Sequence, residues 1–87
     1  MTGAWRYEIT PTARRDLRRL DPPIRGRVLQ ALDRFVQDPK VGDVVKLTGT
    51  GHFRLRVGDW RVRFARDDET RTIVVLRVLP RGRAYER

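Results

Sequence analysis

Cysteine is absent from the 87-residue chain, which removes disulfides, thiolate metal sites and cysteine nucleophiles together. Histidine occurs once, as His52, so a multi-histidine zinc centre is excluded. Serine is also missing, and none of the threonines pairs with a His–Asp arrangement, so a serine-type triad has no parts. No glycine-rich loop ends in Lys-Ser/Thr, the signature of a nucleotide-phosphate cradle. No apolar run approaches the roughly 18 residues a membrane span needs. The first residues lack the apolar stretch of a secretory signal, and a cytoplasmic location without membrane contact is expected. Carboxylates cluster only at Asp67-Asp68-Glu69, which reads as a solvated turn.

What is abundant is positive charge. Twenty Lys+Arg against eleven Asp+Glu leave a net charge of +9 and a pI near 11.5. Lysine contributes only Lys40 and Lys46, so the basicity is carried by arginine. A guanidinium grips phosphate bidentately and keeps its proton, so nucleic acid, an anionic surface or an acidic protein are the partner classes implied. Genomic base composition favours arginine too, so position along the chain must decide.

The length allows one domain spanning residues 1–87. Trp5-Arg6-Tyr7-Glu8-Ile9 alternates as a half-buried strand. Thr10-Pro11 is a helix start, with Ala13, Leu17 and Leu20 on one stripe. Asp21-Pro22-Pro23 starts a second helix, with Asp21 its expected cap. That helix carries Ile24, Val28, Ala31, Leu32, Phe35 and Val36 at helical spacing and stops at Asp38-Pro39. A short connection predicts a helical hairpin. Beyond Val41 the period becomes two. Residues 44–47 are a strand or strand approach, and Thr48-Gly49-Thr50-Gly51 is a turn. Two alternating runs, 52–57 and 60–64, flank Gly58-Asp59 as a hairpin. Thr72 to Leu79 is apolar enough for a central strand, and Pro80 ends it. The expected class is α+β, in the order β-α-α-β-β-β, with a mostly antiparallel sheet covered on one face by the helical hairpin.

The two-residue turn sets which residues face each other. Val57 pairs with Trp60, Leu55 with Val62 and Phe53 with Phe64, giving one apolar face. On the other face Arg56 meets Arg61, Arg54 meets Arg63, and His52 lies opposite Ala65. Like charges directly opposite cost up to about 1 kcal/mol per pair. Residues 52–66 hold five arginines and one acid, Asp59, at the turn tip. With no carboxylate expected among the arginines, this face reads as an anion-binding surface. A solvated face in an arginine-rich proteome is the plainer alternative. Arg81 and Tyr85 are expected near one end of it if the last strand lies beside residues 60–64. Tyr85 then serves either as an apolar clamp on the chain end or as a phenol for proton handling or base stacking. Metal-free cleavage of RNA by its own 2′-hydroxyl needs little more than arginines and a weak acid or base, for which His52 and Tyr85 are candidates.

The segments Ala13-Arg14-Arg15-Asp16-Leu17, Asp38-Pro39, Lys46-Leu47 before a glycine turn, Phe53-Arg54-Leu55-Arg56-Val57-Gly58-Asp59-Trp60-Arg61-Val62 and the ending Arg81-Gly82-Arg83-Ala84-Tyr85-Glu86-Arg87 resemble the RelE/ParE superfamily of bacterial type II toxins. The resemblance covers nearly the whole chain and implies a growth-inhibiting toxin with a cognate acidic antitoxin. RelE-like members cut mRNA on the ribosome without metal or cofactor; ParE-like members share the fold and inhibit DNA gyrase. By position, Arg54, Arg61, Arg81 and Tyr85 correspond to cleavage residues of RelE-like toxins, and His52 falls where some carry lysine. Lys46, His52, Arg56, Arg63 and Arg83 are the accompanying RNA contacts. Pro80 departs from the histidine often found before the tail arginine, which excludes proton transfer by a histidine there. A non-catalytic RNA-binding module is the third reading, with Arg61 and Arg81 both expected outside the core.

Overall fold

The computed structural model describes residues 5–39 and 42–82. The chain runs β1 (Arg6–Ile9), α1 (Pro11–Arg18), α2 (Pro22–Gln37), β2 (Asp43–Lys46), β3 (Phe53–Val57), β4 (Trp60–Asp67) and β5 (Thr72–Pro80). The expected α+β class holds, with four strands rather than three after the helices, because the strand approach at 44–47 pairs fully. The sheet order is β1-β5-β4-β3-β2; β1 is parallel to β5 and every other pair is antiparallel.

Local chemistry explains the boundaries. Thr10 Oγ1 accepts from the Ala13 amide at 3.2 Å and also donates to the Val75 carbonyl at 2.9 Å, so one hydroxyl starts α1 and ties it to β5. Asp21 precedes α2 but its side chain makes no capping bond, contrary to expectation; Pro22, which needs no hydrogen bond for its nitrogen, fixes the start instead. The end of α1 is closed from α2, where the Arg25 guanidinium donates to the carbonyls of Leu17 and Leu20 at 3.1 and 3.0 Å. Between β3 and β4, positive φ is confined to Gly58 (59°), as in a II′ hairpin turn.

Ala13 and Leu17 of α1, Leu20 of the connection after it, and Val28, Leu32 and Phe35 of α2 bury against Leu55, Val62, Phe64, Ile73, Val75 and Val78 of the sheet. Phe64 lies at the centre, 5.4 Å from both Phe35 and Phe53. The hairpin register is the expected one, from Phe53↔Phe64 to Val57↔Trp60. Both helices therefore cover one face of the sheet, and alternation sends Arg54, Arg56, Arg61 and Arg63 to the other, while Arg66, paired with Ile73, stays on the helix side. At the far end of the core, the Arg66 guanidinium lies 4.8 Å over the Trp5 ring.

Strand β5 contains one irregularity. Val62 pairs with Val78 and Arg63 with Arg77, but Phe64 pairs with Val75, so Leu76 is the extra residue of a bulge. Beyond that point β1 has ended, and the open edge of β5 is met by α1. Asp16 accepts from the Val78 amide at 2.9 Å there.

Candidate nucleic-acid interface

The register lays the outer face out in rows. One row runs Val45–Arg54–Arg63–Arg77 across four strands, and the next runs Asp43–Arg56–Arg61–Leu79. Neighbours in a row stand about 5 Å apart at Cβ, so guanidiniums crowd one another. Asp43 lies within this face and pairs with Arg56 at 3.4 Å. The expectation of no carboxylate among the arginines is therefore wrong: β2 supplies one, in an exposed pair that screens rather than cancels the charge.

Lys46 does not belong to this face. It pairs with Phe53, whose ring packs in the core, so its Cβ projects to the helix side at the edge of the sheet. The register of β2 on β3, set by a turn over residues 47–52, decides this. His52 is half-buried at the end of that turn, with its amide donating to Thr50 Oγ1 at 3.0 Å and its carbonyl accepting from Leu47 at 2.8 Å. It starts no strand pair with Ala65, because β3 begins at Phe53.

Arg61 departs furthest from expectation. It is only 5% exposed, and its Nη1 donates to the carbonyls of Gly58 at 2.7 Å and Trp60 at 2.9 Å. The carbonyl between them, on Asp59, accepts from the Arg81 amide at 2.9 Å. Three successive turn carbonyls are thus gripped by two arginines, one through its side chain and one through its backbone. The Arg81 side chain lies on an exposed residue at that same end, as expected from β5 lying beside β4. Arg83 and Tyr85 lie outside the described residues.

Asp16 and Arg77 form a pairing that the sequence reading missed. Arg77 Nε and Nη2 donate to Asp16 Oδ2 and Oδ1 at 2.8 and 3.2 Å. Burial acts to raise the Asp16 pKa, but hydrogen bonds from Arg77 and the Val78 amide, with the charges of Arg77 and Arg19, hold it below 3.8. Arg77 is correspondingly raised, chiefly by its hydrogen bond to Asp16. The signal was available: Asp16 sits three residues after Ala13 and one before Leu17, inside the buried stripe.

Three polar atoms, Arg61 Nε, Arg63 Nε and His52 Nδ1, are buried without a hydrogen-bond partner, and all three belong to residues of the outer face. Unmet polar atoms are uncommon in folded proteins, and these three are sealed from solvent as well as unpaired. Among the described residues no three His, Asp or Glu side chains gather as metal ligands, and no helix is long and apolar enough to cross a membrane.

Fold and face together define a small α+β domain with one helix-covered and one arginine-lined sheet surface. The chain belongs to the ParE/RelE toxin family: the model described as ParE toxin of the type II toxin–antitoxin system parDE matches residues 7–85. It is 39% identical over 80 residues to Toxin RelG of Mycobacterium tuberculosis, covering 90% of this chain and 92% of that one. The RelBE2 toxin–antitoxin complex from the same organism contains a chain superposing with TM-score 0.78 at 34% identity, over 91% of this chain and all (100%) of that one. The archaeal RelE–RelB complex from Pyrococcus horikoshii gives 0.79 at 31%, over 93% and 99%.

Proposed function

We propose that this chain is a RelE-like toxin that cuts messenger RNA on the ribosome, without metal or cofactor, and is neutralised by a cognate acidic antitoxin. The observation that carries the reading is the outer sheet face, where arginines of three adjacent strands converge and two keep an unpartnered Nε. In such a reaction the 2′-oxygen of the RNA attacks the adjacent phosphorus. The new O2′–P bond forms as the P–O5′ bond breaks; the 2′-hydroxyl gives up its proton, and the 5′-oxygen leaves with one. The protein's tasks are to hold the strand in line and to stabilise charge on the phosphoryl oxygens.

In this reading Arg81 meets the scissile phosphate and Arg54 orients it. Arg61 adds positive charge and acts as a positioning residue, since its Nη1 holds the turn to which the Arg81 backbone is anchored. Tyr85 serves as general base or stacking platform. Arg56, Arg63, Arg83 and His52 contact flanking phosphates. The antitoxin rests on the charge of +9 and on relatives solved as toxin–antitoxin complexes.

A shallow sheet face cannot enforce in-line geometry on free RNA, whereas a ribosome presents its codon already ordered. Purified protein with one labelled message is expected to cut it in the presence of programmed ribosomes and hardly at all without them. Equal rates in both would overturn the ribosome requirement. A ParE-like gyrase inhibitor is the second reading, favoured by the family model's own description and by the engagement of Arg61 with backbone carbonyls. Loss of DNA supercoiling activity with no RNA cut in either tube would select it.

A further inference from the structure

We propose that a hollow on the helix side of the β3–β4 turn anchors the acidic antitoxin. It takes one large apolar side chain of a segment whose flanking carboxylates meet Arg27 and Arg81. The proposal rests on the toxin reading above and names where the partner is held. Ile24, Val28, Val57 and Trp60 supply the apolar lining of the hollow, and Arg27, Gly58 and Asp59 complete it around about 130 Å³. Small-molecule sites run to roughly 300–1,000 Å³, so this one is too small for a cofactor or nucleotide and is on the scale of a single side chain. Val57 and Trp60 pair directly before the turn, on the helix side of the sheet. Only the first turns of α2 reach them there, and Ile24, Val57 and Trp60 all stay partly exposed.

Half-covered apolar side chains around a small hollow, with charge at the margin, are the setting in which one buried anchor carries most of a docking energy. The charges select the partner. Arg27 is exposed and forms no ion pair among the described residues. Arg81 is exposed too, and its amide is fixed to the Asp59 carbonyl at 2.9 Å. Asp59 is the one acid of residues 52–66, so the tip sets two guanidiniums against one carboxylate. A segment with a carboxylate on either side of its apolar residue answers both arginines, whereas a neutral or basic segment leaves them unpaired. Nucleic acid offers phosphates to the same arginines but no apolar group small enough for the hollow. Because the turn anchors Arg81 through its backbone, a segment seated here lies against the element that positions this arginine. A carboxylate held on Arg81 keeps it from the scissile phosphate, so neutralisation does not require the whole outer face to be covered.

The test titrates the full chain with end-blocked tripeptides, Glu-Phe-Glu, Glu-Ala-Glu and Gln-Phe-Gln, and with uridine monophosphate. The Trp60 indole and the methyl groups of Ile24, Val28 and Val57 are followed by NMR. Glu-Phe-Glu is expected to shift these signals saturably, with Glu-Ala-Glu about tenfold weaker and Gln-Phe-Gln about threefold weaker. Arg27→Gln is expected to narrow the gap between Glu-Phe-Glu and Gln-Phe-Gln, and uridine monophosphate to leave the four residues unmoved. In cells, Ile24→Asp is expected to arrest growth as the wild type does. It should need about tenfold more of the acidic antitoxin that rescues the wild type. Arg27→Gln acts in the same direction and carries the test if Ile24→Asp fails to fold. Equal binding of the three peptides, tighter binding of uridine monophosphate, or undiminished rescue of both variants overturns the proposal. If the wild-type chain arrests no growth, the toxin reading fails by itself. The tripeptides then decide the hollow: the expected order of affinities sustains it as an acidic-peptide site, and its absence overturns it.

Discussion

Replacing Asp16 tests how the helices are fastened to the sheet. Past Val75, β5 has lost its neighbour β1, and the Val78 amide on that open edge finds its acceptor in the Asp16 carboxylate at 2.9 Å. Asp16→Ala leaves that buried amide unsatisfied, at a cost of about 1–3 kcal/mol. It also strips Arg77 of its partner. The Arg77 side chain is 39% exposed, so solvent takes over much of the interaction and only about 1 kcal/mol is added. The expected loss is about 2–4 kcal/mol, equivalent to a fall of about 10–25 °C in Tm for a domain of this size. Asp16→Asn keeps an acceptor for Val78 and loses only the charge, so about 1–2 kcal/mol is expected. Urea unfolding of the full chain at pH 7 measures both, with equal m-values as the check on two-state behaviour. The folded carboxyl holds its proton less tightly than the ordinary 3.8, so the pairing's contribution is complete above that pH. It is lost as pH falls from 3.8 through the lower folded-state value, and the gap between wild type and Asp16→Asn narrows in that window. An Asp16→Ala protein within about 0.5 kcal/mol of its parent, or an Asn variant as unstable as the Ala variant, refutes this account.

Arg81→Ala is expected to relieve growth arrest while keeping stability within about 0.5 kcal/mol of wild type, as an exposed side chain should; inducible expression and a thermal melt check the two halves. Arg61→Ala is expected to lower stability by about 1–3 kcal/mol, because the Gly58 and Trp60 carbonyls lose their donor. Its loss of toxicity therefore has meaning only beside an unfolding curve. Asp43→Asn frees Arg56 from its exposed partner and is expected to tighten binding of uncuttable RNA by about two- to fivefold at low salt. Anisotropy titrations at two salt concentrations measure it, and the gain should shrink at the higher one.

The hairpin register was legible because two alternating runs two residues apart admit only one pairing that keeps the apolar set together, Phe53, Leu55, Val57, Trp60, Val62 and Phe64. From it followed the arginine-lined face. Depth was not legible: alternation says which way Arg61 points, not that it is covered and turned back onto the Gly58 carbonyl. Lys46 was misplaced because the longer turn over 47–52 carries no short-range code for how β2 pairs with β3. Asp16 was legible as buried from its position within the Ala13–Leu17–Leu20 stripe. Its partner, 61 residues away at Arg77, depends on a parallel β1–β5 pairing and a bulge that local patterns do not encode.

Two ion pairs stand at the flanks of the arginine face. Asp43 answers Arg56 on the β2 side, and Asp16 answers Arg77 on the β5 side. Between them, Arg63 stands directly across from both Arg54 and Arg77 with its Nε unmet. Cross-strand like charges cost up to about 1 kcal/mol per pair, and Asp16 neutralises Arg77, so the repulsion bearing on Arg63 is at most about that of one pair. A phosphate bound there relieves that repulsion as well as making its own contacts, which makes Arg63 the position where stability and binding oppose each other. Arg63→Gln is accordingly expected to raise stability by about 0.5–1 kcal/mol while weakening RNA binding. Urea unfolding and anisotropy on the same preparation measure the two effects. A variant that binds RNA normally, or that is less stable than wild type, would mean that the guanidinium at 63 is held by packing rather than strained by its neighbours.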